Sequence, residues 1–439
     1  MMVWRSLLES EKKGALLIGT YGQGEKNLCE EHLEELASLC ITFGVETKAR
    51  LPSPLREISP ATFLGKGKVE EIRLLAQELN VEIIVFDDEI SPQQQKNLEK
   101  LLAIPVIDRT ELILGVFAQR ARTREAKLQV ELASIEYQLP RLRRLWTHLS
   151  RQRTGGASGG FLKGEGEKQI EIDRRLLRKK IDRVKEELAE VKKQRAQQRR
   201  AREREGLPTF AIIGYTNAGK STLMHSLTEA DVLVEDKLFA TLDPTVRKFF
   251  LPNNQAILLI DTVGFIRKIP HQLIAAFKST LEEAVGADIL LHLIDVSHPA
   301  ARSQAEETLK VLKELGGAHL PMITLLNKVD RCKSRLEIDR LRFLYPKTVE
   351  VSALQRQGFD LLLELMMKET ASLRKQLHLR IPQDHYHLLA KALEGGKILS
   401  MEYEENDILV DLEIPYSLEH KLIQYEIQSG NARLPNESV

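Results

Sequence analysis

One segment constrains the fold more than any other. The apolar run Phe210–Gly214 leads directly into Gly-Tyr-Thr-Asn-Ala-Gly-Lys-Ser, and a helical pattern starts near Lys220. This is the G-x-x-x-x-G-K-S pattern in the strand–loop–helix context that it needs. Its glycines let successive backbone N–H groups turn inwards on phosphates, at the positive end of a helix dipole. The segment therefore predicts a doubly wound α/β domain built around a phosphate-binding loop.

The loop supplies the first group of predicted site residues. Lys220 is predicted to reach the β- and γ-phosphates and to act in catalysis, and the Ser221 hydroxyl is predicted to ligate Mg²⁺. The whole loop is expected to contact the nucleotide, namely Gly214, Tyr215, Thr216, Asn217, Ala218, Gly219, Lys220 and Ser221.

A second motif follows the apolar strand pattern at residues 256–260. It reads Asp261-Thr262-Val263-Gly264. Asp261 is placed to hold Mg²⁺ through water, and the Gly264 amide is placed to sense the γ-phosphate. Alone, D-x-x-G is a turn as often as a switch, but forty residues after Ser221 and at a strand end it predicts a switch segment.

The third motif predicts which base is bound. Asn327-Lys328-Val329-Asp330 follows another apolar strand, and Ser352-Ala353-Leu354 follows the next. A carboxylate at Asp330 accepts hydrogen bonds from N1–H and the exocyclic amine of guanine, whereas adenine would leave it desolvated and unpaired. We therefore expect GTP and GDP as ligands, with Asn327 tying the base pocket to the phosphate loop and the Lys328 stem covering the base.

The segment between the first two motifs predicts a first switch. Phe239-Ala240-Thr241-Leu242-Asp243 lies there, and two threonines, Thr241 and Thr245, compete as the Mg²⁺ ligand of the triphosphate state. The residues alone do not choose between them.

Two further residues bear on catalysis. Phe265 follows Gly264, and a phenylalanine cannot orient water, so intrinsic hydrolysis is expected to be slow. The amide of Asn217 is placed to hold a monovalent cation, although a structural role in the loop explains it equally well. Lys220, Gly264 and Asn217 are the predicted catalytic residues.

The first 110 residues alternate short apolar runs with amphipathic segments. The pattern predicts strands at 15–19, 81–86 and 104–108 and helices at 25–41, 68–79 and 92–102, with Ser91 as a helix cap before Pro92. Strands that alternate with helices predict a small α/β domain with a parallel sheet.

A long helical arm is predicted next. One helix is expected at 110–137, then a mobile glycine-rich loop at 154–167, then a second helix from Lys168 to about Arg204 that packs against the first. Between Arg151 and Glu205 there are 18 basic and 10 acidic residues in a chain whose net charge is only +1. This local excess favours an anionic partner such as RNA, although a solvated helix face is the plain alternative.

Domain limits follow from these patterns. We predict an N-terminal domain with its arm at 1–205, a GTPase domain at 206–373 and a small α+β domain at 374–439. No run approaches the roughly 18 apolar residues of a membrane span, and no secretory signal is evident at the start. Three scattered cysteines, Cys29, Cys40 and Cys332, indicate reduced thiols in a cytoplasmic protein.

Together these motifs resemble one family. GYTNAGKS, FATLDPTVR, DTVGF and NKVD are similar to the motifs of the HflX family of ribosome-associated GTPases, as are GGASGGFLKGEGEKQIEIDRRLLR at 155–178 and ATFLGKGKVEEI at 61–72. One departure is Glu165, where the family pattern has proline.

The resemblance implies a GTPase that binds the large ribosomal subunit, through ribosomal RNA, and splits stalled or idle ribosomes in its GTP form. It implies Thr241 as the Mg²⁺ ligand and K⁺-stimulated hydrolysis through Asn217. Family members have also been linked to ATP binding by the N-terminal domain, but the segment Gly65-Lys66-Gly67-Lys68 lacks a full phosphate-binding signature. A monomer is expected, and peripheral membrane association is left open. Two alternatives remain: a regulatory switch that recruits a protein partner, and an RNA remodeller driven by ATP in the N-terminal domain.

Overall fold

The computed structural model describes residues 13–142, 163–228, 238–239, 244–268, 283–332, 334–371, 374–385, 397–404, 406–415 and 422–427. Within these ranges the chain forms three sheets, one in each of the three predicted regions. The multidomain α/β architecture expected from the sequence is confirmed.

The N-terminal sheet has four parallel strands in the order β2-β1-β3-β4. They are β1 (Gly14–Tyr21), β2 (Glu46–Pro54), β3 (Ile83–Phe86) and β4 (Val106–Asp108), and the helices between them are α1 (Lys26–Phe43), α2 (Lys66–Glu78) and α3 (Pro92–Leu102). The predicted cap is confirmed, because Ser91 and Gln94 form a reciprocal capping box at α3. The predicted parallel sheet is confirmed as well.

Strand β2 was not predicted. It is an edge strand, and its residues are mostly exposed or half-buried with two prolines, so it has none of the continuous apolar character by which the other three strands were found.

The single helix predicted at 110–137 is wrong in one respect, because the structure has two helices there. They are α4 (Arg109–Arg120) and α5 (Arg124–Gln138). Ala121 adopts an extended conformation, and the Thr123 hydroxyl accepts the Ala126 N–H at 3.1 Å and so caps α5. A threonine side chain that offers this bond to the backbone favours a helix start over a helix interior.

The second arm helix, α6 (Lys163–Glu205), begins earlier than expected. Residues 163–167 were predicted as the end of the glycine-rich loop, but their backbone belongs to this helix. The first part of that loop, at 154–162, lies outside the described residues.

Helix α6 packs antiparallel to α5, as predicted. Their shared core contains Leu128, Leu132, Ile135, Ile181, Val184 and Leu188. Ion pairs flank it, and the pairing of Glu125 with Arg195 and of Glu136 with Lys185 fixes the antiparallel direction.

The central sheet has six strands in the order β10-β9-β8-β5-β7-β6. They are β5 (Thr209–Gly214), β6 (Thr245–Phe250), β7 (Ala256–Asp261), β8 (Ile289–Asp295), β9 (Met322–Asn327) and β10 (Thr348–Glu350). Only β6 runs antiparallel to its neighbour. Helices α7 (Lys220–Thr228), α8 (Ala301–Glu314), α9 (Arg335–Leu344) and α10 (Phe359–Ala371) connect or follow the strands. The carboxyl ends of β5, β7 and β9 carry the three motifs, as the doubly wound fold requires.

The C-terminal region is an antiparallel sheet of β11 (Arg374–Pro382), β12 (Lys397–Glu404) and β13 (Asp407–Pro415), in the order β11-β13-β12. In strand β13, alternate side chains, Ile408, Val410 and Leu412, are buried in a separate small core. Two adjacent glycines, Gly395 and Gly396, predict a turn in this region, but they lie outside the described residues.

The N-terminal and central domains share one hydrophobic cluster. It joins α1 and α4 to side chains of the phosphate loop and of the segment after β7. Within it, the rings of Phe117 and Phe239 meet edge to face at 4.5 Å. No helix among the described residues combines the length and the apolar character of a membrane span.

Candidate nucleotide site

The phosphate loop connects β5 to α7, and its lysine is buried. Lys220 is 5% exposed, and its ammonium donates to the carbonyl oxygens of Tyr215 at 2.8 Å and Gly214 at 3.2 Å. Burial lowers its pKa to about 8, although the nearby Asp261 carboxylate favours the charged form. Phosphate oxygens therefore compete with two backbone carbonyls for this ammonium.

Backbone geometry explains the residue type at two positions of the phosphate loop. Gly219 has φ +98°, and a β-carbon there would lie 2.4 Å from Asn327 Nδ2, so only glycine fits. Asn217 has φ +61°, a left-handed conformation that asparagine tolerates better than most residues. Its carbonyl oxygen accepts the Lys328 ammonium at 2.8 Å, so the loop and the base-binding motif are directly joined.

The predicted metal ligands lie together. The Ser221 hydroxyl donates to Asp261 Oδ2 at 2.7 Å, and Asp261 is fully buried at the end of β7. A hydroxyl and a carboxylate oxygen beside a phosphate site are the hard donors that Mg²⁺ prefers, and Mg²⁺ is usually held by few protein ligands together with phosphates. The residues present therefore fit this ion. Thr245 begins β6 and pairs with Asp261 in the antiparallel ladder.

The second switch segment lies directly on the phosphate loop. The Thr216 N–H donates to the Phe265 carbonyl at 2.7 Å, and the Phe265 N–H donates to the Gly214 carbonyl at 3.1 Å. A β-carbon on Gly264 would lie 2.8 Å from Thr216 Cα and 2.9 Å from the Lys220 ammonium. Phe265 itself is 1% exposed, and its side chain belongs to the hydrophobic core.

A separate cavity of about 270 Å³ lies beside the loop. It is lined by Asn217, Gly219, Thr222, Asn327, Lys328, Asp330, Arg331, Ser352, Ala353 and Leu354. Asn327 organises it, because its amide donates to the Ala218 carbonyl at 2.7 Å and its oxygen accepts the Ala353 N–H at 2.9 Å. Thr222 and Arg331 were not predicted, since neither belongs to a motif.

Comparison with known proteins gives matches along most of the chain. Family models described as GTP-binding GTPase N-terminal, GTP-binding GTPase Middle Region and 50S ribosome-binding GTPase match residues 30–118, 120–202 and 209–328. GTPase HflX of Chlamydia pneumoniae is 46% identical over 415 residues, which cover 94% of this chain and 88% of that protein. GTPase HflX of Escherichia coli (strain K12) is 40% identical over 401 residues, covering 91% and 92%.

The chain belongs to the HflX family of GTPases. It is therefore a GTP hydrolase, and the resemblance inferred from the motifs is confirmed. Among solved structures, a crystal structure described as SsGBP in complex with GDP is 25% identical and covers 81% of this chain and 98% of its own, with a TM-score of 0.47.

The first switch of this HflX-family chain is described only in part. Ala240, Thr241, Leu242 and Asp243 fall outside the described residues. Phe239 is described, and its ring packs on Phe117 of the N-terminal domain. Tyr215 was predicted from its place in the loop, but its side chain also points to the N-terminal domain, where its hydroxyl donates to Glu35 at 2.7 Å.

Sequence reasoning missed the N-terminal residues that reach the GTPase domain. Arg109 is 2% exposed and pairs with Asp87 at 2.8 Å and with Glu35, and it also donates to the Arg267 carbonyl at 3.3 Å. Burial disfavours its charge, but Glu35 and Asp87 raise its pKa above the ordinary value. No local pattern marks Arg109, because its partners lie on other elements of the fold, between 22 and 158 positions away in the sequence.

Proposed function

We propose that this GTPase binds the large ribosomal subunit in its GTP form, splits stalled or idle ribosomes, and hydrolyses GTP for release. The observation that carries the proposal is the two-helix arm of α5 and α6. Support also comes from the family model described as 50S ribosome-binding GTPase, which matches the central domain.

The arm has the length and charge for contact with RNA. Helix α6 has 43 residues, so it extends roughly 65 Å at 1.5 Å per residue. Its apolar seam is buried on α5, while basic side chains such as Arg175, Arg178, Lys179, Lys192 and Lys193 are exposed. Exposed lysines and arginines on a rigid helix neutralise phosphates and give binding that weakens with salt.

The arm also exposes apolar groups towards its N-terminal end. Ile172 is 50% exposed and Leu176 is 58% exposed, although residues further along the same helix are buried against α5. Exposed apolar side chains beside a charged surface are typical of a contact region. The end of α6 near Lys163 is therefore the part of the arm proposed to enter the ribosome.

Within the nucleotide site, we assign Lys220 to the β- and γ-phosphates and Ser221 to Mg²⁺, which offsets phosphate charge when bound. The Gly264 amide is assigned to the γ-phosphate. Thr241 is the proposed second Mg²⁺ ligand. The pairing of Thr245 with Asp261 supports this choice, because Thr245 is part of the sheet and a switch ligand has to change position.

Asp330 is assigned to guanine recognition within the 270 Å³ cavity. Asn217 is proposed to support stimulation by K⁺. Its left-handed conformation is a competing explanation for asparagine at this position, so the test is Asn217→Gly. Glycine keeps the backbone and removes only the amide, and the proposal requires that K⁺ stimulation disappears while GDP affinity is retained.

An ATP site in the N-terminal domain has little support from its geometry. In a doubly wound sheet a ligand binds at the carboxyl ends of the strands where the order reverses, here β1 and β3. That position contains Asp87 and Asp88, and the Lys268 ammonium binds both, at 2.8 Å and 2.9 Å. Two carboxylates repel phosphates, so the ATP-driven alternative is not favoured.

The proposal has three further parts. The domain limits are 1–205, 206–373 and 374–439, the protein is cytoplasmic, and it acts as a monomer.

The test combines nucleotide hydrolysis with ribosome splitting. GTP hydrolysis is measured alone and with large subunits, in K⁺ and in Na⁺, and splitting of whole ribosomes is followed by light scattering. Arg175, Arg178 and Lys179 are changed together to glutamine. The matched control removes three exposed lysines elsewhere, Lys26, Lys100 and Lys368.

We expect large subunits to stimulate hydrolysis, and the arm variant to lose splitting and most of the stimulation. The slope of log affinity against log salt between about 50 and 200 mM should fall by about two to three units in the arm variant only. Binding of GTP without any stimulation would exclude the ribosome-splitting function and would favour the switch that recruits a protein partner. Equal losses of splitting and stimulation in the arm variant and in the control variant would show that the basic side chains of the arm have no specific role.

A further inference from the structure

Thr216 combines a buried position with a hydroxyl that has no partner. It stands third in the phosphate loop and is 6% exposed. Its backbone is held in place, because the Thr216 N–H donates to the Phe265 carbonyl at 2.7 Å. The hydroxyl oxygen, in contrast, is shielded from solvent and forms no hydrogen bond with any residue in the described part of the chain. Buried hydroxyls are normally paired, because an unpaired one costs stability. Packing alone therefore does not account for a threonine at this position.

The side chain of Thr216 lies beside the groups assigned to the γ-phosphate. A β-carbon on Gly264 would lie 2.8 Å from Thr216 Cγ2 and 2.9 Å from Lys220 Nζ, so the threonine methyl and the lysine ammonium flank Gly264 together. The hydroxyl is bonded to the same carbon atom as this methyl. A γ-phosphate bound by Lys220 and by the Gly264 amide therefore has the Thr216 hydroxyl as a neighbour.

The hydroxyl also has a property that the neighbouring side chains lack. Phe265 follows Gly264, and its buried ring has no atom that accepts a strong hydrogen bond from water. The Lys220 ammonium donates hydrogen bonds but accepts none. A threonine hydroxyl both donates and accepts, so Thr216 is able to bind a phosphate oxygen and a water molecule at the same time.

We propose that the Thr216 hydroxyl is a catalytic group in GTP hydrolysis, which donates to a γ-phosphate oxygen and accepts a hydrogen bond from the attacking water. In this step the water oxygen bonds to the γ-phosphorus, and the bond between that phosphorus and the bridging oxygen breaks. One proton of the water stays on its oxygen and the other passes to a γ-phosphate oxygen, so the products are GDP and dihydrogen phosphate. An oriented water reacts faster, and the hydroxyl therefore acts on the rate rather than on the affinity.

The test compares hydrolysis with binding and stability in the full-length chain. The single-turnover rate of GTP hydrolysis, the dissociation constant for GDP and the melting temperature are measured for the wild type, Thr216→Val, Thr216→Ala and Thr216→Ser. Valine replaces the hydroxyl by a methyl group of similar size, whereas serine keeps the hydroxyl. Ribosomes are left out, so the outcome does not depend on the proposed ribosome splitting.

Thr47→Val is the matched control. The Thr47 hydroxyl is also buried without a partner among the residues that the structure describes, but Thr47 belongs to β2 of the N-terminal domain. Removal of an unpaired hydroxyl should leave the melting temperature unchanged or raise it, both in this control and in Thr216→Val.

Thr216→Val and Thr216→Ala should hydrolyse GTP roughly tenfold to a hundredfold more slowly than the wild type, as expected for loss of a hydrogen bond to a charged group. Their affinity for GDP should stay the same. Thr216→Ser should keep most of the rate, and Thr47→Val should keep all of it.

An unchanged rate in Thr216→Val overturns the proposal. A loss in Thr216→Ser as large as that in Thr216→Val also overturns it, because the threonine methyl would then be the essential group. The same holds if the rate falls together with the affinity for GDP or with the melting temperature, because the side chain would then only support the loop. If Thr216→Val does not fold, Thr216→Ala and Thr216→Ser decide the question.

Discussion

Asn327 bonds to Ala218, and through this bond the base-binding motif holds the phosphate loop. The side-chain amide of Asn327 donates to the Ala218 carbonyl at 2.7 Å, across 109 positions of sequence. The same side chain accepts the Ala353 N–H, so one buried residue joins the loop, β9 and the segment after β10. A donor and an acceptor are both required, which only an amide of this size provides.

We predict that Asn327→Ala weakens GDP and GTP together by about tenfold or more, because two buried backbone groups lose partners that each cost roughly 1–3 kcal/mol to leave unpaired. Calorimetric titration with both nucleotides measures the effect. The matched control is Asn97→Ala, whose amide donates to a backbone carbonyl in the N-terminal domain. A loss confined to GTP would contradict a role in organising the shared part of the site.

Asp330→Asn should change the base that the site selects. Asparagine offers a donor where the carboxylate accepted, so guanine loses affinity by at least about a hundredfold, and xanthine, which has an oxygen in place of the amine, gains it. Competition between GDP and xanthosine diphosphate measures the change. Retention of guanine preference would show that Asp330 does not contact the base.

Binding of GTP should weaken as the pH rises above about 8. The pKa of Lys220 is lowered to about 8 by burial, and phosphates bind its charged form, so binding takes up a proton once the free protein has lost it. The affinity should fall by up to about tenfold per pH unit above this value. Lys220→Arg stays charged and should lack this dependence, although its affinity is lower. Constant affinity of the wild type between pH 7 and 9 would contradict the shifted pKa.

A buried carboxyl at the base of the arm should give a second pH effect. Asp108 accepts bonds from Tyr137 at 3.0 Å and Arg141 at 3.3 Å, and burial, followed by repulsion from Glu111, raises its pKa from 3.8 to about 6. Because the folded pKa is the higher one, its contribution to stability is complete below pH 3.8 and is lost as the pH rises through 6.

The comparison of the wild type with Asp108→Asn isolates this effect. The free energy of unfolding of the wild type, relative to the variant, should fall between pH 4 and pH 7 by at most roughly 3 kcal/mol. Chemical denaturation at a series of pH values measures the difference. A difference that rises with pH would mean that Arg141 outweighs burial and that the pKa is lowered.

The nucleotide site was largely predictable because its chemistry is encoded locally. A glycine loop must follow a strand and precede a helix, so Gly214–Ser221 could be recognised from contiguous residues, and the same holds for Asp261 and for Asn327. The capping box at Ser91 and the seam between α5 and α6 are also local, since they depend on spacings of three and four residues. The predictions failed at two helix boundaries. A single helix was predicted where the Thr123 cap separates α4 from α5, and the glycines before Lys168 concealed the start of α6 at Lys163.

By itself, the sequence determined the class of protein and the positions of the three motifs, because each motif is made of neighbours in the chain. Only the tertiary structure decided which distant residues contact the phosphate loop and the segment after β7. Glu35 meets Tyr215 across 180 positions, and Arg109 meets the Arg267 carbonyl across 158. No periodicity or spacing encodes such a pair, since each partner is an ordinary polar residue until folding buries the two together. Burial then makes their pairing obligatory, because an unpaired charge in the interior is costly.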